Sequence, residues 1–167
     1  MKSHKSVPSG FTSLVVLLPL LAGFAEAQSL SKYACSEADP EQLCNAANTC
    51  GSASSPCTVD VKRTSDGAST TASIPNARSN GTFCVKAGTT VIWKTTSKDV
   101  GFLIDIGPTS PFAPSAVISG GSDRSVSVVA KKPGCYKYSA GACRSGEIYG
   151  MCGSGTAEVV ITGTNSE

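Results

Sequence analysis

The chain is almost without imidazole: its single histidine is His4 among 167 residues. That scarcity excludes more chemistry than any other feature. Ser-His-Asp and Cys-His sites cannot be assembled without a histidine, and the commonest general acid–base side chain is missing. Charge is sparse as well. Only 16% of residues are charged, with a net of +2. The basic residues are scattered, and Lys131-Lys132 is the only adjacent lysine pair. A nucleic-acid footprint needs clustered Lys and Arg, so nucleic acid is not an expected partner. A phosphate loop is lacking too: Ser119-Gly120-Gly121-Ser122 has no Lys and no helix after it, and reads as a turn. No internal repeat and no heptad pattern occurs.

Long apolar runs are confined to the start. Lys2 and Lys5 precede an apolar stretch from Leu14 to Phe24, broken only by Pro19 and Gly23. Ala25-Glu26-Ala27 then places small residues where a signal peptidase reads. The pattern predicts a leader over 1–27 and a mature chain starting at Gln28, secreted to the exterior or a periplasm. The alternative, a retained anchor, is opposed by the length of the run, which is short for a bilayer core of about 30 Å. No second hydrophobic span follows, so the mature chain is expected to lack a transmembrane segment. Without Lys2, Lys5 and Glu26 it holds 12 basic and 11 acidic residues, a net of +1.

What the mature chain does have is cysteine: Cys35, Cys44, Cys50, Cys57, Cys84, Cys135, Cys143 and Cys152. An even number behind a leader predicts four disulfides formed in an oxidising compartment. Zinc sites use Cys pairs two to four residues apart, and here the closest pair, Cys44 and Cys50, is wider. Which cysteine joins which is left open by the sequence.

Two regions follow from composition. Residues 28–57 form a short, polar, Cys-rich extension. In it Asp39-Pro40-Glu41-Gln42 has the marks of a helix start, with Asp39 as cap and Pro40 in the first turn, and predicts a helix to about Asn48. Residues 58–163 alternate in short strand-like runs separated by Gly and Pro. They predict a mainly β fold, an antiparallel Greek-key β-sandwich. Residues 64–80, rich in Ser, Thr, Ala and Gly, read as a long loop. Asn80-Gly81-Thr82 within and beyond it is an N-glycosylation sequon, marking Asn80 for a glycan in a eukaryotic secretory pathway.

Three segments in order resemble the cupredoxins, the plastocyanin- and phytocyanin-like sandwiches. Phe83-Cys84-Val85-Lys86-Ala87-Gly88-Thr89-Thr90-Val91-Ile92-Trp93 is similar to the family's "V-x-A-G-x-T-V-x-W" segment. Lys132-Pro133-Gly134-Cys135-Tyr136-Lys137-Tyr138 is similar to its "P-G-x-Y-x-Y" segment, and Gly150-Met151 followed by Glu158-Val159-Val160-Ile161 to its C-terminal end. The resemblance implies the fold and withholds the chemistry. A blue-copper site takes two imidazoles, one thiolate and a weak axial Met. Where the resemblance places the first histidine the chain has Val100-Gly101-Phe102. The thiolate position falls near Ala140 and the second histidine near Cys143; only Met151 matches. A sulfur-only Cys143–Met151 copper(I) site is the alternative that sulfur chemistry allows. Against it stands a Cys143–Cys152 disulfide across the intervening loop.

No cofactor and no catalytic residue is therefore expected. The primary reading is a copper-free binding or structural module with an unknown protein or glycan ligand. The loop Gly107–Ser122, stiffened by Pro108, Pro111 and Pro114, would be its surface, with Arg144–Tyr149 nearby. A second reading is atypical electron transfer. A third is a glycosidase built from carboxylates among Asp99, Asp105, Asp123 and Glu147. Ser29-Leu30-Ser31-Lys32 has Ser-x-x-Lys spacing by chance, and Trp93, Tyr136 and Tyr138 sit in strands where core packing is the default.

Overall fold

The computed structural model describes residues 35–36, 40–114, 117–147 and 152–163. The predicted leader, Ser29–Lys32, Asp39, Tyr149 and Met151 lie outside them. The fold is mainly β, with ten strands in two five-stranded sheets.

The first sheet has the order β2 (Ala68–Ala72), β1 (Cys57–Arg63), β4 (Thr90–Lys94), β8 (Val126–Ala130), β6 (Phe112–Ala113). The second has the order β3 (Phe83–Lys86), β10 (Gly153–Thr162), β9 (Gly134–Arg144), β5 (Val100–Asp105), β7 (Val117–Gly121). Each is mixed, which corrects the all-antiparallel expectation. β1 runs parallel to β4, and β3 parallel to β10. The reason lies in the connections. The segment Lys86-Ala87-Gly88-Thr89 is a turn closed by Thr89 N–H to the Lys86 carbonyl at 3.0 Å, with Gly88 at φ 90°. It does not fold β3 back onto β4. It carries the chain from the second sheet to the first, so both strands pair with partners distant in sequence.

Alternation explains which side chains go inside. Val59 and Val61 of β1, Val91 and Trp93 of β4, and Phe102 and Ile104 of β5 are all buried. They join one core drawn from both sheets, which is where period-two apolar patterning should put them. Trp93 stands at its centre. Its ring meets Tyr138 of β9 edge-on at 5.3 Å between centroids and Phe112 at 6.5 Å, geometry that aromatic quadrupoles favour. Trp93 and Tyr138 are thus core residues, as their strand positions suggested.

Three further expectations are corrected. The 64–80 segment is not all loop. Thr64 N–H bonds the Gly67 carbonyl at 2.9 Å, and β2 then pairs antiparallel with β1. Its Ala-Ser-Thr composition hides it, because small polar side chains give no apolar alternation, yet Ser69 and Thr70 are buried. At Gly155 of β10, β2 comes so close that an added Cβ would collide with the Ala68 carbonyl oxygen. Next, Ser119-Gly120-Gly121 is the end of strand β7, not a turn; the turn is Ser122-Asp123, closed by reciprocal Gly121–Arg124 backbone bonds of 3.1 Å. Finally, the N-terminal helix, α1, is only Pro40–Leu43. Asn48 Nδ2 donates to the Leu43 carbonyl at 3.0 Å, and Asn45 Oδ1 accepts from Ala47 N–H at 2.9 Å. Such side-chain bonds compete with helix continuation.

The four predicted disulfides are present: Cys35–Cys135, Cys44–Cys84, Cys50–Cys57 and Cys143–Cys152. Two of them strap the extension onto the second sheet, at β9 and β3. Beneath the strap, Glu158 of β10 is only 7% exposed. Its carboxylate accepts the Ser36 N–H at 2.6 Å and the Ser36 hydroxyl. No helix among the described residues is long and apolar enough to cross a membrane.

Candidate functional site

One end of the two sheets collects several of the residues on which chemistry could depend. Register brings them there. Gly101 of β5 lies opposite Cys143 of β9 on one side and Gly121 of β7 on the other. The start of β5, the end of β9 and the β7–β8 turn therefore share an edge. Between them lies a shallow basin of about 430 Å³, whose polar rim is Asp99, Asp123, Arg124 and Arg144.

Local bonds shape this rim. Asp99 adopts a left-handed φ of 58°, which Asp tolerates better than most residues. Its carbonyl accepts the Ser145 N–H at 2.7 Å, tying the approach to β5 against the end of β9. Beyond Arg144, Glu147 Oε2 accepts the Arg144 N–H at 2.7 Å, and Glu147 Oε1 lies 3.5 Å from Arg63 Nη2. The bond from the Arg144 amide, then the positive charge of Arg63, holds the Glu147 carboxyl below the usual carboxylate range. Cys143, in the floor, is bonded to Cys152, which closes the loop between β9 and β10.

The positions that the cupredoxin resemblance associates with copper ligands fall in or beside this end. Gly101 and Cys143 line the basin. Phe102 and Ala140 are buried in the core. The Cys143 sulfur is shared with Cys152, so the pairing suggested across that loop is present. Met151 lies outside the described residues. No cysteine is free among the described residues.

Other predicted groups scatter. The Gly107–Ser122 segment is not one surface. Its first part sits at the far end of β5, where Lys131 N–H bonds the Pro111 carbonyl at 2.8 Å. Among its described residues only Gly121 and Ser122 reach the basin, beside Arg144 and Ser145 of the second segment. Of the four carboxylates weighed for glycoside chemistry, Asp99 and Asp123 line the basin. Glu147 is ion-paired. Asp105, at the opposite end of β5, bonds the Gly107 N–H at 3.1 Å. Arg63 and Arg124 gave no sequence signal: Arg63, on the first sheet, meets Glu147 only because the two sheets pack together, and the Gly121–Arg124 turn brings Arg124 to the rim.

Asn80 lies elsewhere, against the outer edge of β2. Its Oδ1 accepts the Thr70 N–H at 2.8 Å, and its Nδ2 donates to the Ala68 carbonyl at 3.3 Å. With φ at 56°, it satisfies part of an edge that would otherwise be open. Tyr136 is half-buried, and burial pushes its phenol above the usual range.

The chain matches no protein-family model and no curated protein.

Proposed function

We propose that the chain is an exported, cupredoxin-like β-sandwich that works as a binding or structural module, without type 1 copper and without catalysis of its own. The mature protein would begin near Gln28 and fold in an oxidising compartment, to which four disulfides are suited. The order and position of β3, β4, β9 and β10 are compatible with the resemblance in sequence.

The observation that carries the reading is the composition of the basin. The end to which the resemblance would assign the family's ligands has a cross-linked Cys143 and a rim of exposed Asp99, Asp123, Arg124 and Arg144. Mixed charged groups on a rim held by Ser145–Asp99 and Cys143–Cys152 suit recognition of a polar ligand, a glycan or a polypeptide, through hydrogen bonds. A pre-formed rim costs little ordering on binding.

The test is a pair of arrays, glycan and peptide, probed with mature protein and with the Arg124→Ala/Arg144→Ala variant. Retained ligand that the variant loses, with no turnover, supports the reading. Native unreduced mass spectrometry on the same sample counts bridges and bound metal. Stoichiometric copper on unbridged sulfur would overturn it in favour of atypical electron transfer, and hydrolysis of an array glycan would favour the carboxylate enzyme.

A further inference from the structure

A second cavity lies along the side of the molecule, sharing no lining residue with the basin. β2 is the edge of the first sheet and β3 the edge of the second, and both border the same lateral seam. The side chains of β2 are Ala, Ser and Thr, too small to fill it. The segment 43–48 and the loop 73–82 cover the seam instead. They leave a cavity of about 350 Å³, within the range of small-ligand sites.

Its lining has two characters. Leu43 and Ile74 supply apolar walls, with Ala72 and the Phe83 ring of the core behind them, and Asn48, whose amide donates to the Leu43 carbonyl, and Thr82 complete the wall. At the mouth are Asn76 and Arg78, both exposed. Neither side chain has a hydrogen-bond or ion-pair partner among the described residues, and no acidic residue lines the cavity there. Arg78 is the one charge on the described wall. A wall that is apolar along Leu43, Ile74 and Phe83, with a lone cation and an amide at its opening, matches a molecule that has an apolar body and is negative at one end. A guanidinium is the group best shaped to take a carboxylate by two parallel bonds.

We propose that this seam cavity binds a small amphiphilic anion, an alkyl or aryl carboxylate or sulfate, with its apolar body against Leu43, Ile74 and Phe83 and its head on Arg78 and Asn76. The site is independent of the basin, and failure of either leaves the other standing.

The test titrates the full mature, disulfide-bonded protein calorimetrically with octanoate, and with octanol and octylammonium as head-group controls. Octanoate should bind at one site. Octanol should bind about tenfold more weakly, the scale of one charge-assisted hydrogen bond, and octylammonium should give no saturable heat. Arg78→Ala should bring octanoate to the octanol level, and Arg78→Lys should keep a preference for the anion. Arg78 is exposed, so both variants are expected to fold, with circular dichroism as the check. Ala77→Trp, which fills the cavity, should abolish binding of both. Absence of saturable octanoate binding, equal affinity for all three probes, or an octanoate affinity unmoved by Arg78→Ala would overturn the proposal.

Discussion

The hydroxyl of Thr70 on β2 lies 2.8 Å from the hydroxyl of Tyr138 on β9, a buried hydrogen bond joining the two sheets. Thr70 is 3% exposed and Tyr138 1%, so neither group has water as a substitute partner. One small polar strand and one aromatic core residue thus hold each other's polar atoms inside the molecule.

Removing one partner should cost more than removing both. Thr70→Val is near-isosteric and leaves the phenol unsatisfied, at about 1–3 kcal/mol. Tyr138→Phe leaves the Thr70 hydroxyl with only its long contact to Asn80 Oδ1 at 3.4 Å. The double variant should recover part of the loss, measured as a coupling free energy by urea denaturation. Strict additivity would show that the bond contributes no coupling.

The same pair makes the fold sensitive to alkali. Burial first, against the smaller opposing effect of the Thr70 bond, pushes the Tyr138 phenol well above its usual range. Above a pH of about 10 the unfolded chain releases this proton and the folded chain keeps it, so the folded state binds more protons there. Stability is complete below the unfolded phenol's pKa and falls as pH rises beyond it. Denaturation midpoints between pH 8 and 11 (about one unfolded phenol's titration span) should fall less steeply in Tyr138→Phe than in the wild type.

Glu147 acts in the opposite direction. Its carboxyl is lowered in the folded state by the Arg144 amide and by Arg63. The stabilisation is present above the unfolded carboxylate's pKa and is lost as pH falls through the folded one. Glu147→Gln should therefore lower the midpoint at neutral pH and narrow the gap between neutral and acid. An unchanged pH profile would show that neither the Arg144 N–H bond nor the Arg63–Glu147 contact, at 3.5 Å, contributes in solution.

Asn80 bonds the edge of β2 and is also the first residue of a sequon, and two variants separate the structural role from the predicted glycan. Thr82→Ala removes the sequon and keeps the bonds from Asn80 to Thr70 and Ala68. Expressed through a eukaryotic secretory pathway, it should reduce the mass to that of the bare polypeptide with little change in melting temperature. Asn80→Ala should lose both the glycan and about 1–3 kcal/mol, because an edge amide and carbonyl lose their partner and a left-handed φ must be taken by Ala. A wild-type mass equal to that of Thr82→Ala would show that Asn80 acts on the fold alone.

Residue pattern made much of this legible. Val59, Val61, Val91 and Trp93 alternate, and they point inward. Cys143 and Cys152 flank a short loop, and they are joined. The misreadings have physical causes as specific. β2 has no sequence signature because Ala-Ser-Thr-Thr-Ala lacks apolar contrast, and it is covered through β1, β10 and Asn80. The predicted helix is longer than α1 because Asn45 and Asn48 take backbone bonds for themselves. Arg63 is 84 residues from Glu147 in the chain, and nothing local marks the two as partners.

The sequence by itself determined the chemical inventory: one histidine in a predicted leader, eight cysteines beyond it, and short alternating runs that must pair as strands. These are properties of composition and period, and they need no knowledge of neighbours. Only the tertiary structure decided which strands run parallel, which cysteines pair, and which charges share a rim. Each of these depends on the register of segments up to 100 residues apart, such as Cys35 and Cys135, and register is set when two faces bury their apolar sides together.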